Sequence, residues 1–427
     1  MSAPSRLAVT LAGQHVADVE RVRGRLRLAY TDHGARPGTT PLSLSLPRER
    51  ATFTGDAVET YLRGILPESP TAIDALRATH GVDPSDPLDV LGAIGRDCAG
   101  AVQFFHPDEL DELDKHDEAR DDDASLVPAR RSDIEARLAS MRSGNDSSWT
   151  MPGEHWSLGG VQDKLALRQE GGRWFWAQGD EPTTHIVKPG VRGARSQALV
   201  EHVTMRAAAI LGYDVAATAF TDFGSERAIV IERFDRTRRS GGRLARMHAE
   251  DVCQALGVRE KYEEHGGPSA ATVARFLRDA AETAREARRN VARFVDAVVL
   301  NTVVAAPDAH ARNYSVLLDG ESVSLAPLYD VATALAYTPH HGDVRPVAMT
   351  VGGCADATRI GREHWQRFAA DVGVAAETVL DRVTEVHERA PEALLGALDE
   401  IDDDWDGQVA DVRARLKAGL DQRPALR

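Results

Sequence analysis

Two neighbouring stretches decide how this chain is read: PDAHARNYSVLL, residues 307–318, and LAPLYDVAT, residues 325–333. Before them, NVARFVDAVVLNTVVA (290–305) has apolar residues at helical spacing. After the first motif, YSVLLD (314–319) and SVSLAPL (322–328) read as the two arms of a hairpin. Asp308 therefore leaves a helix, stands five residues before Asn313, and is followed by Asp330 at the hairpin exit. A loop closed by a hairpin is a rigid platform. It can aim one carboxylate at an attacking hydroxyl while an amide oxygen and a second carboxylate converge on a hard cation among phosphates. Isolated Asp-x4-Asn pairs are common. The pair with this helix, this hairpin and this second aspartate is much rarer.

The same spacing carries phosphoryl transfer in protein kinases, with ATP and Mg²⁺ as the implied cofactors. Upstream residues extend the pattern. Lys188 closes the apolar strand THIVKP (184–189), where a lysine can reach nucleotide phosphates, and Glu201 on the next helix can hold it by an ion pair. Each taken alone reads equally as a surface residue. Gly159 and Gly160 in SLGGVQDKLAL (157–167) can cradle phosphates with backbone amides, although a lone double glycine is a weak signal. In IVIERFDR (229–236), backbone groups of Glu232 to Phe234 would form a hinge against adenine, and an ordinary edge strand is the competing reading. No Walker A loop and no GxSxG elbow occurs, and the pair His340-His341 lacks a third ligand at metal spacing.

The expected fold is α+β: a bilobal, protein-kinase-like arrangement with an extra N-terminal subdomain. Residues 1–105 read as a small α+β unit, with LAVTLAG, HVADVERV and RLRLAY as a strand meander and helices near DAVETYLRGILPE and DPLDVLGAIG. Residues 106–150 read as an acidic linker and helix, residues 151–240 as a nucleotide-binding lobe, and residues 241–427 as a helical lobe broken by the hairpin. The acid-rich run 106–130 lacks calcium-loop spacing.

With 427 residues, 42% of them hydrophobic, the chain can build a large core in more than one domain. A net charge of −15 argues against a nucleic-acid or anionic-membrane grip by the chain itself. The six arginines of RFDRTRRSGGRLAR (233–246) read as a solvated loop. Three scattered cysteines without a CxxC pair suit a reducing cytoplasm and exclude a disulfide framework. No signal peptide or apolar run of membrane-spanning length is read.

Together these motifs resemble the HipA-type serine/threonine kinase toxins of type II toxin–antitoxin modules, over nearly the whole length. SLGGVQDKLAL resembles the family's glycine loop, THIVKP its ATP-lysine strand, IVIERFDR its hinge, and MHAEDVCQALG (247–257) the segment after it. YLRGILPES (61–69) and LGAIGRDCAGAV (91–102) resemble its N-terminal domain. The resemblance implies Asp308 as the group that accepts the substrate hydroxyl's proton and His310 as a neighbour of the γ-phosphate. It implies Asn313 and Asp330 as Mg²⁺ ligands, Lys188 on the α/β phosphates, and Ser157 as a self-inhibiting autophosphorylation site. It also implies a helix-turn-helix antitoxin of the HipB kind, operator DNA bound mainly through that partner, and a protein substrate such as an aminoacyl-tRNA synthetase. The chain departs from the family where Ala305-Ala306-Pro307 replaces the common Gly-Asn-Thr before Asp308. Small-molecule phosphotransfer of the aminoglycoside-kinase kind and an inactive scaffold are the alternatives.

Overall fold

The computed structural model describes residues 4–110, 126–144, 150–239, 242–337, 345–402 and 404–422. Most of the acid-rich run and the His340-His341 pair lie outside the described residues.

The N-terminal meander forms as its alternation predicts. Strands Arg6–Leu11, Gln14–Val22 and Arg25–Tyr30 pair antiparallel in sequence order, with Thr52–Thr54 added at one edge and Val102–Phe105 at the other. Helices Asp56–Ile65 and Pro87–Ile94 cover one face, burying Tyr61, Leu62, Leu88 and Leu91 against Leu7, Val9 and Leu28. A further helix, Pro70–His80, begins where Ser69 accepts a hydrogen bond from the Ala72 amide and proline occupies the first turn.

A six-stranded sheet follows, ordered Thr218–Asp222, Arg227–Glu232, His185–Lys188, Leu165–Glu170, Arg173–Ala177, Leu126–Pro128. Its last strand comes from the stretch expected to be acidic linker and helix. Three residues are too few to show an alternating pattern, so the strand exists only through its pairing with Phe175–Ala177. Helix Arg131–Ser143, also from that stretch, buries Ile134, Leu138 and Met141 in the same core as the N-terminal meander.

Helix Gln197–Ile210 joins the second, mostly helical core, with Ala270–Asp279, Ala284–Val303, Arg362–Val372, Ala376–Asp399 and Gln408–Asp421. The expected hairpin is present as Ser315–Asp319 and Ser322–Leu325, and it carries a third strand, His248–Asp251, against Ser315–Asp319. That strand reads HAED and offers no apolar alternation, yet His248, Ala249 and Glu250 are buried. The three cysteines are free. Among the described residues no group of three or more His, Cys, Asp or Glu is placed to hold a metal, and no helix is long and apolar enough to cross a membrane.

The arginine-rich run corrects its sequence reading: Arg233 and Arg236 are buried and Arg246 nearly so, all gathered on the buried carboxylate of Asp97 from the N-terminal unit. Arg236 Nη2 donates to Asp97 Oδ1 at 2.8 Å, Arg246 Nη2 at 3.1 Å, and Arg233 Nη1 reaches Oδ2 at 3.2 Å. Thr183 supplies its hydroxyl at 2.7 Å and its amide at 3.0 Å. Asp235 closes the network, accepting from Arg233 Nη2 at 2.8 Å and from the Gly100 amide at 2.6 Å. Burial would raise the Asp97 carboxyl, but the three guanidinium charges hold it well below the usual carboxylate range. Removing one member leaves buried charge uncompensated, a cost of about 3–5 kcal/mol. Asp97→Ala is therefore expected to lower unfolding stability by about that amount, read as a lowered thermal midpoint. A change below about 1 kcal/mol would contradict a cooperative network here.

Candidate active site

The two cores meet at a cleft of about 1020 Å³. Apolar side chains of Ile186, Ala216, Ile231, Phe234 and Leu328 line it, together with the polar groups of Lys188, Asp308, Asn313 and Asp330. Sites of this kind, apolar with a few placed polar groups, suit a nucleotide-sized ligand.

Lys188 ends its strand inside the cleft. Its Nζ donates to Glu201 Oε1 at 3.0 Å and to Asp330 Oδ1 at 2.5 Å. Burial lowers the lysine's pKa, but Asp330 and Glu201 more than offset this and keep it cationic. Asp330 would be raised by burial and is held low by the Lys188 charge. Asp330 sits at φ 58°, the left-handed region. For a residue with a Cβ this costs about 1–2 kcal/mol, strain of the sort concentrated at functional sites.

Asp308 follows the end of helix Ala284–Val303, with its side chain mostly exposed. Asn313 Nδ2 donates to the Asp308 carbonyl at 2.6 Å, which leaves the amide oxygen available as an acceptor. Tyr262 donates its hydroxyl to Asp308 Oδ1 at 2.5 Å, and His310 Nε2 is 3.8 Å from the same oxygen. Burial lowers the His310 pKa, so its imidazole is neutral near pH 7. Tyr262 packs edge-on against His310, with ring centroids 4.8 Å apart.

The turn before Asp308 is strained. Ala305 takes φ 53°, a conformation that favours glycine. The loop is held there by the Ala306 amide on the Asn301 carbonyl at 2.7 Å and by the Ala334 amide on the Ala305 carbonyl at 2.8 Å.

Gly159 and Gly160 line the cleft, Gly160 at φ 97°. Ser157 does not: it is fully buried in a two-residue strand parallel to Asp97–Cys98, and its hydroxyl donates to the Ile65 carbonyl at 2.9 Å. Strand pairing and the Ile65 carbonyl fix Ser157 outside the cleft, apart from the two glycines that follow it. The hinge expectation is narrowed. The Glu232 amide already bonds the Ala217 carbonyl and the Arg233 amide bonds the Thr184 carbonyl, each at 2.9 Å. The Phe234 ring stacks with Tyr329, centroids 5.5 Å apart.

Sequence reasoning missed several residues. Lys164, in the glycine-loop motif, donates to the Gly159 carbonyl at 2.7 Å, and burial with the nearby Lys188 charge lowers its pKa to about 8. Tyr262 and Lys261 come from a segment with no periodic signal. Their position beside Asp308 is visible only once the Lys261 carbonyl is seen accepting from the Ala311 amide at 3.2 Å.

An α+β fold with a lysine–glutamate pair, an Asp–Asn loop and a strained aspartate around one cleft has the kinase-like form. The HipA N-terminal domain model matches residues 7–105, and the HipA-like C-terminal domain model matches residues 156–394. The chain belongs to the HipA family of kinase-like toxins. It is 32% identical over 372 residues to the putative kinase Y4mE of Sinorhizobium fredii, covering 86% of this chain and 84% of that protein. It is 28% identical over 402 residues to the serine/threonine-protein kinase toxin HipA of Shewanella oneidensis, covering 88% of this chain and 86% of the relative. A solved complex of the Shewanella oneidensis HipA, HipB and operator DNA superposes with a TM-score of 0.79 at 25% identity, over 97% of both chains.

Proposed function

We propose that this protein is an ATP-dependent serine/threonine kinase acting in the cytoplasm as the toxin of a toxin–antitoxin pair. The observation that carries the reading is the convergence of Lys188, Asp330, Asn313 and Asp308 on one cleft. The nucleotide lies with adenine against Phe234 and its phosphates toward Lys188 and the glycine loop. The Asp330 and Asn313 oxygens suit Mg²⁺, a hard cation that takes a few protein oxygens and fills its other positions with water and phosphate. Bound there, the cation would neutralise charge on the phosphates. Lys188 now satisfies Asp330 directly and would turn toward the α/β phosphates when they arrive, with Glu201 retaining it. Asp308 orients the acceptor hydroxyl and accepts its proton. His310, neutral and adjacent, faces the γ-phosphate.

The acceptor is a serine or threonine of a protein, with an aminoacyl-tRNA synthetase the class to test first. The similar Shewanella complex supports a HipB-like antitoxin that carries most contact with operator DNA, and the acidic charge of this chain agrees with that division. The working parts divide as residues 1–105, 106–150, 151–240 and 241–427, with Leu126–Pro128 and helix Arg131–Ser143 attached to the nucleotide-binding part.

Ser157 is the proposed autophosphorylation site. A phosphate carries about −1.5 to −2 charges at pH 7, which the dry strand position beside Ile65 cannot hold. Phosphorylation must therefore expel residues 157–160 from their seat and dismantle the glycine loop.

Asp308→Asn is expected to keep nucleotide affinity and to slow phosphoryl transfer by about 10²-fold or more. Asp330→Ala should instead weaken Mg²⁺-nucleotide binding. Equal transfer rates for wild type and Asp308→Asn would remove Asp308 from this role. After incubation with Mg²⁺-ATP, peptide mass spectrometry should find phosphate on Ser157, and the modified form should bind ATP more weakly. Phosphate at Ser157 with ATP affinity intact would sink the switch while leaving the kinase assignment in place.

A further inference from the structure

Glu68 lies between helices Asp56–Ile65 and Pro70–His80 of the N-terminal unit, yet it lines the cleft. Its backbone amide donates to the Gly160 carbonyl at 3.1 Å, and Pro67 bridges Gly160 in parallel register. Its side chain points elsewhere. One carboxylate oxygen pairs with Arg312, the residue before Asn313, and the other is 3.5 Å from Lys261 Nζ, the residue before Tyr262. The three side chains are only 20–28% exposed, so the pairing is shielded more than a surface ion pair.

The charge of Glu68 is not needed to hold its own unit together. Ser69, not Glu68, caps helix Pro70–His80, and the Asp97 network already fastens the unit to the rest of the chain. What the carboxylate does is neutralise two cations that flank the reacting end of the cleft. The segments bearing them are knitted by the Arg312 guanidinium on the Arg259 carbonyl at 3.2 Å and the Ala311 amide on the Lys261 carbonyl at 3.2 Å. Without Glu68, Lys261 and Arg312 repel across that seam. The repulsion acts on both groups that hold Asp308: Tyr262, which donates to its carboxylate, and Asn313, which donates to its carbonyl.

We infer that Glu68 is a positioning residue for phosphoryl transfer, supplied by the N-terminal unit, which sets Asp308 through Arg312 and Lys261. This rests on the kinase reading above. The division of labour within the residue makes a specific demand. Its backbone supports the glycine loop, so replacing the side chain should spare nucleotide binding and impair the transfer step alone.

The test uses the full chain with γ-labelled ATP and Mg²⁺, following label incorporation into the chain itself in single turnover, beside ATP affinity and thermal midpoint. Glu68→Gln should slow transfer about tenfold, with ATP affinity and thermal midpoint unchanged. Arg312→Gln, which loses the Glu68 pair and the bond to the Arg259 carbonyl, should also slow transfer, and the double variant, in which Lys261 no longer faces a second cation, should be no slower than the slower single one. Transfer at the wild-type rate in Glu68→Gln overturns the inference. So does a loss matched by weaker ATP binding or a lowered midpoint, or a double variant showing the product of two independent losses. If Glu68→Gln does not accumulate as folded protein, Arg312→Gln alone decides: unchanged transfer overturns the inference, and a slowed step with intact ATP affinity upholds it. A wild-type chain that transfers no phosphate overturns the kinase reading and this inference with it.

Discussion

A carboxylate buried among three guanidinium groups is the constraint around which this molecule is arranged. Asp97 belongs to the N-terminal unit, whereas Arg233 comes from the strand exit that lines the cleft, and Arg236 and Arg246 from the hairpin after it. A charge buried alone is costly, and Asp97 finds its guanidinium partners only when the pieces dock. Arg233 and Asp235 flank Phe234, and their buried bonds fix the backbone on either side of that ring. The apolar end of the cleft is thus shaped by a residue more than a hundred positions earlier in the chain.

The same logic runs through the polar end. Lys188 is held between Glu201, buried with it, and the partly exposed Asp330, so that the sheet, the helix behind it and the hairpin exit are joined by charge. Asp330 and Ala305 both adopt left-handed backbone conformations without being glycine. Packing stabilises these strained turns, and they bring Asp308 and Asp330 onto one wall. At Ala305 the turn before Asp308 takes a conformation that favours glycine, and the steric cost of the Cβ is accepted.

Local pattern made much of this legible. The meander, the helix before Asp308, the hairpin after it and the strand ending in Lys188 follow from alternation, helical spacing and turn residues, which act over a few neighbours. The strands Leu126–Pro128 and His248–Asp251 were illegible, one too short and the other too charged to carry a pattern; both are set by the strands they pair with. Arg233, Arg236 and Arg246 looked solvated because their partner, Asp97, is distant in sequence, whereas Arg238, Arg239 and Arg243 are exposed as read. Tyr262, Lys164 and Glu68 were missed for the same reason: each acts through a tertiary contact that no spacing encodes.

The central claim is that this cleft moves the γ-phosphoryl group of ATP to a protein hydroxyl. It is tested most directly by incubating the purified full chain with γ-labelled ATP, Mg²⁺ and a lysate of its own host, then separating proteins from small molecules. The account predicts label on protein as phosphoserine or phosphothreonine, dependent on the added chain. Label confined to a small molecule, or no transfer at all, would contradict it.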